Sequence, residues 1–168
     1  KNVLHRPYTT WVRGRYNKGV PNYKLTVTMK NLMNCVCTDK WTHVAPLLLR
    51  VVTGLVFAMH GWQKLQMGVP GVAGFLGSIG FPAPELFAVL LIAAELGGGI
   101  LLIIGAYTHW VAKILAFVAL VALLTVHVSK GFFVSEGGFE FILLLLAASI
   151  SVMVTGAGKW SVDAKMKK

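Results

Sequence analysis

Residues 44–65 read VAPLLLRVVTGLVFAMHGWQKL. A run this apolar matches the ~20 residues that a helix rising ~1.5 Å per residue needs to cross ~30 Å of hydrocarbon. Its last two turns differ in character, offering His60, Gln63 and Lys64. Three further apolar stretches, 86–104, 110–128 and 139–155, have similar length. Runs of Leu, Ile, Val and Ala this long are not strands of a membrane barrel, which alternate apolar and polar residues over about ten positions. The whole chain agrees: 56% of its 168 residues are hydrophobic, 13% are charged, and mean hydropathy is +0.70. The sequence therefore predicts an all-α integral membrane protein built as a four-helix transmembrane bundle.

Charge organises the ends. Residues 1–43 carry eight Lys and Arg against one acid, residues 159–168 carry four against one, and the stretch between them carries four against four. With an even number of spans both termini share one side, and the excess of basic residues assigns that side to the cytoplasm of a bacterial inner membrane. Basic juxtamembrane tails of this kind contact anionic lipid, so no nucleic-acid partner is expected. The reading divides the chain into a basic N-terminal segment (1–43), a membrane domain (44–158) and a basic tail (159–168). Residues 1–28 lack the apolar core of a secretory signal peptide, and a basic leader beginning at Met29 precedes the first span, so 1–28 are expected to be a dispensable extension. Cys35 and Cys37 are expected to be reduced thiols without the further ligands a metal site needs.

Between the first two spans lies QMGVPGVAGFLGSIGFPAP, residues 66–84. Its glycines and prolines argue against an uninterrupted helix, and its apolar character argues against a wetted loop. A short interfacial or re-entrant element at the outer face satisfies both. Residues 130–138 form the second external loop. Small residues four apart, Gly54 and Ala58, Ala94 and Gly98, Ala147 and Ser151, are expected to let backbones approach.

Charges inside hydrocarbon cost about 2.5–3.5 kcal/mol each near a helix centre. Lys64 and Lys113 lie near expected span ends and can reach the headgroups. Glu95 lies roughly 15 Å from either interface and cannot. On a helix with ~100° per residue, Arg50, Gly54, Phe57, Gly61 and Lys64 share one face. The topology places His60, Lys64, His127 and Glu140 at similar outer depth, with Glu95 below them. These groups form an outward-opening polar site in which Glu95, His60 and Glu140 are the candidate catalytic residues and Arg50, Lys64 and His127 the candidate cofactor-binding residues. No metal or haem is expected.

The ordered set LLLRVVTGLVFAMHGWQKL, GFPAP, AAELGGGILLIIGAYTHWVA, HVSKGFFVSEGGFEFILLLLAA and GAGKWSVD resembles the DoxX family of small bacterial membrane proteins, from about Leu47 to Asp163. The matching positions are Arg50, Gly54, His60, Gly61, Lys64, Glu95, His127, Glu140, Ser161 and Asp163. The resemblance implies a four-span inner-membrane oxidoreductase subunit, related to the quinone-linked subunit of a thiosulfate-oxidising enzyme and tied to sulfur or oxidative-stress metabolism.

Quinone reduction needs an apolar slot and titratable groups at the ring carbonyls, and the residues above supply such groups. The sequence contains no CxxCH, iron–sulfur cysteine set or dinucleotide fingerprint, so electrons would come from a soluble or membrane redox partner. Two other readings stay open at this point: a small proton-coupled transporter in which Glu95 exchanges a proton for a cation, and a non-catalytic membrane anchor for soluble redox proteins. Self-association into a homo-oligomer is also left open.

Overall fold

A computed structural model describes residues 44–166, and every regular element among them is helical. Helix α1 spans Val44–Ser78, α2 Pro84–Ile104, α3 Thr108–Ala122 and α4 Glu140–Thr155; the short α5, Val162–Met166, follows in the tail. Helix α3 continues through a π turn at Leu123–His127 and a 3-10 turn at Val128–Lys130. Helices α1, α2 and the extended α3 are long and apolar enough to cross a membrane. Helix α4 has 16 residues, about 24 Å, and falls short of the full hydrocarbon thickness. The expected division of the first 43 residues, with Cys35 and Cys37, lies outside the described residues.

The region between the first two spans is interrupted, as its glycines and prolines suggest, and continues as a short helical piece. The chain remains helical to Ser78, with a single break at Gly68 (φ 77°, ψ 158°), a conformation open to glycine because it has no Cβ. Pro70 follows two residues after Gly68, where its missing N–H falls at the break instead of costing a helix bond. Beyond the kink, Val72, Ala73 and Leu76 pack on Ala88 and Ile92 of α2. This burial holds the short helical piece against α2. Lys64 lies four residues before the break, and its ammonium is engaged by Glu95 of α2.

Helices α1 and α2 run antiparallel in close contact. A Cβ on Gly61 would collide with the backbone of Leu96, one on Gly99 with the backbone of Ala58, and one on Gly54 would lie 2.7 Å from Gly99 O. The Gly54 and Ala58 pair is thus used as anticipated, with Gly61 extending the seam one turn further. Gly98 meets Leu115 of α3. Ala147 and Ser151, by contrast, are exposed, and α4 instead buries Leu145, Ser149 and Val152. Phe57, Leu102, Leu115, Leu145 and Val152 join the four helices in one core.

The tail folds back as a strap over the α2–α3 turn. Arg50, 1% exposed, donates through Nη1 to Leu102 O (3.2 Å) and Ile103 O (3.0 Å), and through Nη2 to Trp160 O (2.7 Å). The Asp163 carboxylate accepts from the N–H groups of Tyr107 (2.7 Å) and Thr108 (2.8 Å), capping α3 from another part of the chain. Gly105 closes α2 at φ 73°, and any Cβ there would enter the Arg50 guanidinium. The motif residues Arg50, Gly105, Ser161 and Asp163 therefore form one latch.

Candidate functional site

Glu95 sits 11 residues from Pro84 and 9 from Ile104, roughly 16 and 14 Å from the ends of α2. It is mid-depth in a span of mean apolar character, with its side chain 9% exposed. Lys64 Nζ donates to its Oε2 at 2.5 Å, forming an ion pair across the α1–α2 seam. The pair exists because Gly61, one turn before Lys64, brings the two backbones together. Each charge answers the desolvation of the other, which accounts for the retention of a lysine and a glutamate at a depth where either alone is costly. The Lys64 side chain remains 26% exposed, so the pair has one open side.

His60 lies one turn from Lys64 on α1 and is exposed; its ring centroid is 6.2 Å from that of Phe141 at the start of α4. This contact lies one helical turn along α1 from the ion pair. His60, Lys64 and Glu95 are therefore brought to one region, with Phe141 as a neighbour that sequence spacing did not single out. No sequence signal singled it out, since the contact depends on how α4 packs against α1.

The other three candidates are placed apart. Arg50 belongs to the latch, 14 residues and about 21 Å along α1 from Lys64. His127 Nδ1 shares a hydrogen with Gly137 O at 2.8 Å, and Glu140 Oε1 accepts from Val134 N–H at 2.6 Å. Both side chains thus hold the 131–139 loop, whose backbone is further tied by Phe139 N–H to Gly131 O and Glu140 N–H to Phe132 O. Among the described residues no three His, Cys, Asp or Glu side chains converge as a metal site.

A separate groove of ≈ 480 Å³, almost wholly apolar, is lined by Leu65 and Val69 of α1 and by residues of α2 from Val89 to Ile100. At about 100° per residue, Ala93, Gly97 and Ile100 lie across the seam line of Leu96, Gly99 and Ile103 from Glu95. The ion pair faces the bundle and the groove faces away from it.

The comparisons with known proteins follow the same segment. The family model DoxX matches residues 45–128, which contain α1, α2, α3 and the Lys64–Glu95 pair. "Putative oxidoreductase CatD" of Bacillus subtilis is 38% identical over 125 residues, covering 74% of this chain and 89% of that protein. "Inner membrane protein YphA" of Escherichia coli is 31% identical over 74 residues, 44% of this chain and 52% of that protein. "Inner membrane protein YqjF" of the same organism is 26% identical over 129 residues, 77% of this chain and 97% of that protein. No solved structure matches the chain. With the family model covering half of the sequence and the Bacillus protein aligned along most of both chains, this helical membrane protein belongs to the DoxX family.

Proposed function

We propose that this chain is the membrane subunit of a quinone-linked oxidoreductase system in a bacterial inner membrane, with the Lys64–Glu95 pair as the polar end of its quinone site. The observation that carries the reading is a 2.5 Å ion pair at mid-depth in a membrane helix pair, open on one side. Intramembrane ionisable groups are costly and are used for ion, proton or ligand chemistry. A lipid-soluble quinone reaches such a depth without leaving hydrocarbon.

Reduction of a quinone to the quinol takes up two electrons and two protons. The electrons come from a partner redox protein. The Lys64 ammonium, held by Glu95, would donate to one ring carbonyl and offset the charge that gathers on that oxygen as electrons arrive. The Glu95 carboxylate would take up a proton through the open side of the pair and pass it to the same oxygen, and His60, one turn away and beside Phe141, would serve the second. The His60 and Phe141 rings, in tilted contact with each other, would offer an aromatic edge beside the ring. The basic ends of the chain orient the latch, the tail and both termini toward the cytoplasm. The name of the Bacillus relative supports the redox reading over the transport one.

The test is quinone content. The full chain is isolated in native-lipid discs, and quinone is extracted and quantified against phospholipid for the wild type, Glu95→Gln and Lys64→Gln. The wild type should retain about one quinone per chain above the lipid background, and both folded variants should fall to that background. A wild type at background, or a folded Glu95→Gln protein with wild-type quinone, overturns the assignment.

A further inference from the structure

At the latch end, a second cleft of ≈ 340 Å³ is lined by Ile104 of α2 and by Lys159, Trp160, Ser161, Val162 and Lys165 of the strap. We propose that this cleft binds the headgroup of an anionic phospholipid, with the phosphate between Lys159 and Lys165 and the upper acyl chain along Ile104, Trp160 and Val162. Three independent features lead there.

The first is charge. Lys159 and Lys165 are six residues apart, yet the strap turns through Ser161 into α5 and brings both to one cleft. Ser161 holds that turn, donating to Gly158 O at 2.8 Å and accepting from Ala164 N–H at 3.1 Å. The acid between the lysines, Asp163, directs both carboxylate oxygens to Tyr107 N–H and Thr108 N–H, so no carboxylate lines the cleft.

The second is position. Ile104 is the last residue of a spanning helix and is 47% exposed, so the cleft floor is continuous with the lipid-facing surface of α2. The rim lysines lie just beyond it, at headgroup height. Trp160, 59% exposed, and Trp110 near the start of α3, with Lys113 Nζ 4.5 Å above its ring, have the aromatic and basic character of an interfacial belt. A soluble phosphate compound would meet the two lysines but leave the apolar floor uncovered; a phospholipid covers both.

The third is consequence for the fold. Trp160 O is held by Arg50, so a lipid bridging Lys159 and Lys165 fastens the strap to the helix bundle from outside while Arg50 fastens it from within. Lipid binding therefore stabilises the latch by mass action.

The experiment uses the full chain in lipid discs with spin-labelled lipid. Labelled phosphatidylglycerol should associate preferentially over phosphatidylcholine. Because a surface lysine strengthens anionic-lipid contact about fivefold, Lys159→Gln/Lys165→Gln should reduce that preference by about 25-fold for the site population. Lys159→Arg/Lys165→Arg should retain it, and Lys130→Gln, at the opposite end, should leave it unchanged. The reading is overturned by an unchanged preference in the folded double Gln variant, by no preference in the wild type, or by displacement of the labelled lipid with millimolar inorganic phosphate.

Discussion

Replacing Arg50 by Met tests whether this side chain is a structural latch. The substitution keeps volume and removes three donated hydrogen bonds, to Leu102 O, Ile103 O and Trp160 O. Leu102 O also accepts from Gly105 N–H and loses least. The other two are bonds from a charged donor, each worth about 1.5–3 kcal/mol. Relief of the desolvation of a 1%-exposed guanidinium offsets part of that loss. The expected net destabilisation is about 2–4 kcal/mol, concentrated in the strap, which keeps only the Asp163 contacts with the α2–α3 turn. Denaturant unfolding of the detergent-solubilised protein reads the total. Limited trypsin cleavage after Lys159 and Lys165 reads the local opening, which should quicken at least tenfold. Arg50→Lys, a point charge unable to reproduce the fork, should fall between. Wild-type stability and unchanged cleavage in Arg50→Met would refute the latch.

Gly61→Ala forces a methyl into the Leu96 backbone and should destabilise by about 1–3 kcal/mol in unfolding assays, whereas Gly97→Ala, with open space around its Cβ, should be neutral or mildly stabilising. Glu95→Leu alone should cost about 3–5 kcal/mol by orphaning Lys64, and adding Lys64→Met should recover most of it; a double variant no more stable than Glu95→Leu would show that the pair is not coupled. With Cys35 and Cys37 replaced by Ser, a cysteine at Ser135 should react with an impermeant thiol reagent in intact cells and one at Lys165 should not; the reverse labelling would invert the proposed orientation.

The helical membrane class was legible because hydrocarbon thickness sets the length of apolar runs and little else competes with that signal. The engagement of Lys64 was not. Gly68 and Pro70 carry the local signature of a helix end and the helix does break at Gly68, but the packing of Val72, Ala73 and Leu76 on α2 beyond it is a tertiary effect. Glu95 was identified from depth alone, but its partner required knowing that Gly61 fits against Leu96 and aligns the two helices in register. Arg50 shares a helical face with Lys64, and the face is real, since Arg50, Gly54, Phe57 and Gly61 are all buried. A shared face says nothing of distance along the axis, and the two cations serve levels of the helix 14 residues apart. His127 and Glu140 lie near in sequence to a glycine-rich loop, and their hydrogen bonds go to its backbone. Periodicity does not distinguish a side chain that faces a ligand from one that ties down its own loop.

The central claim is that quinone meets the chain at Lys64 and Glu95. A photoreactive quinone, activated in native-lipid discs and followed by peptide mapping, locates that contact directly. The account predicts crosslinks on α1 around His60 to Lys64 and at Phe141 of α4, suppressed by excess unlabelled quinone and lost in Glu95→Gln. Crosslinks confined to the outward groove at Ala93, Gly97 and Ile100, or labelling that excess quinone does not suppress, would contradict it.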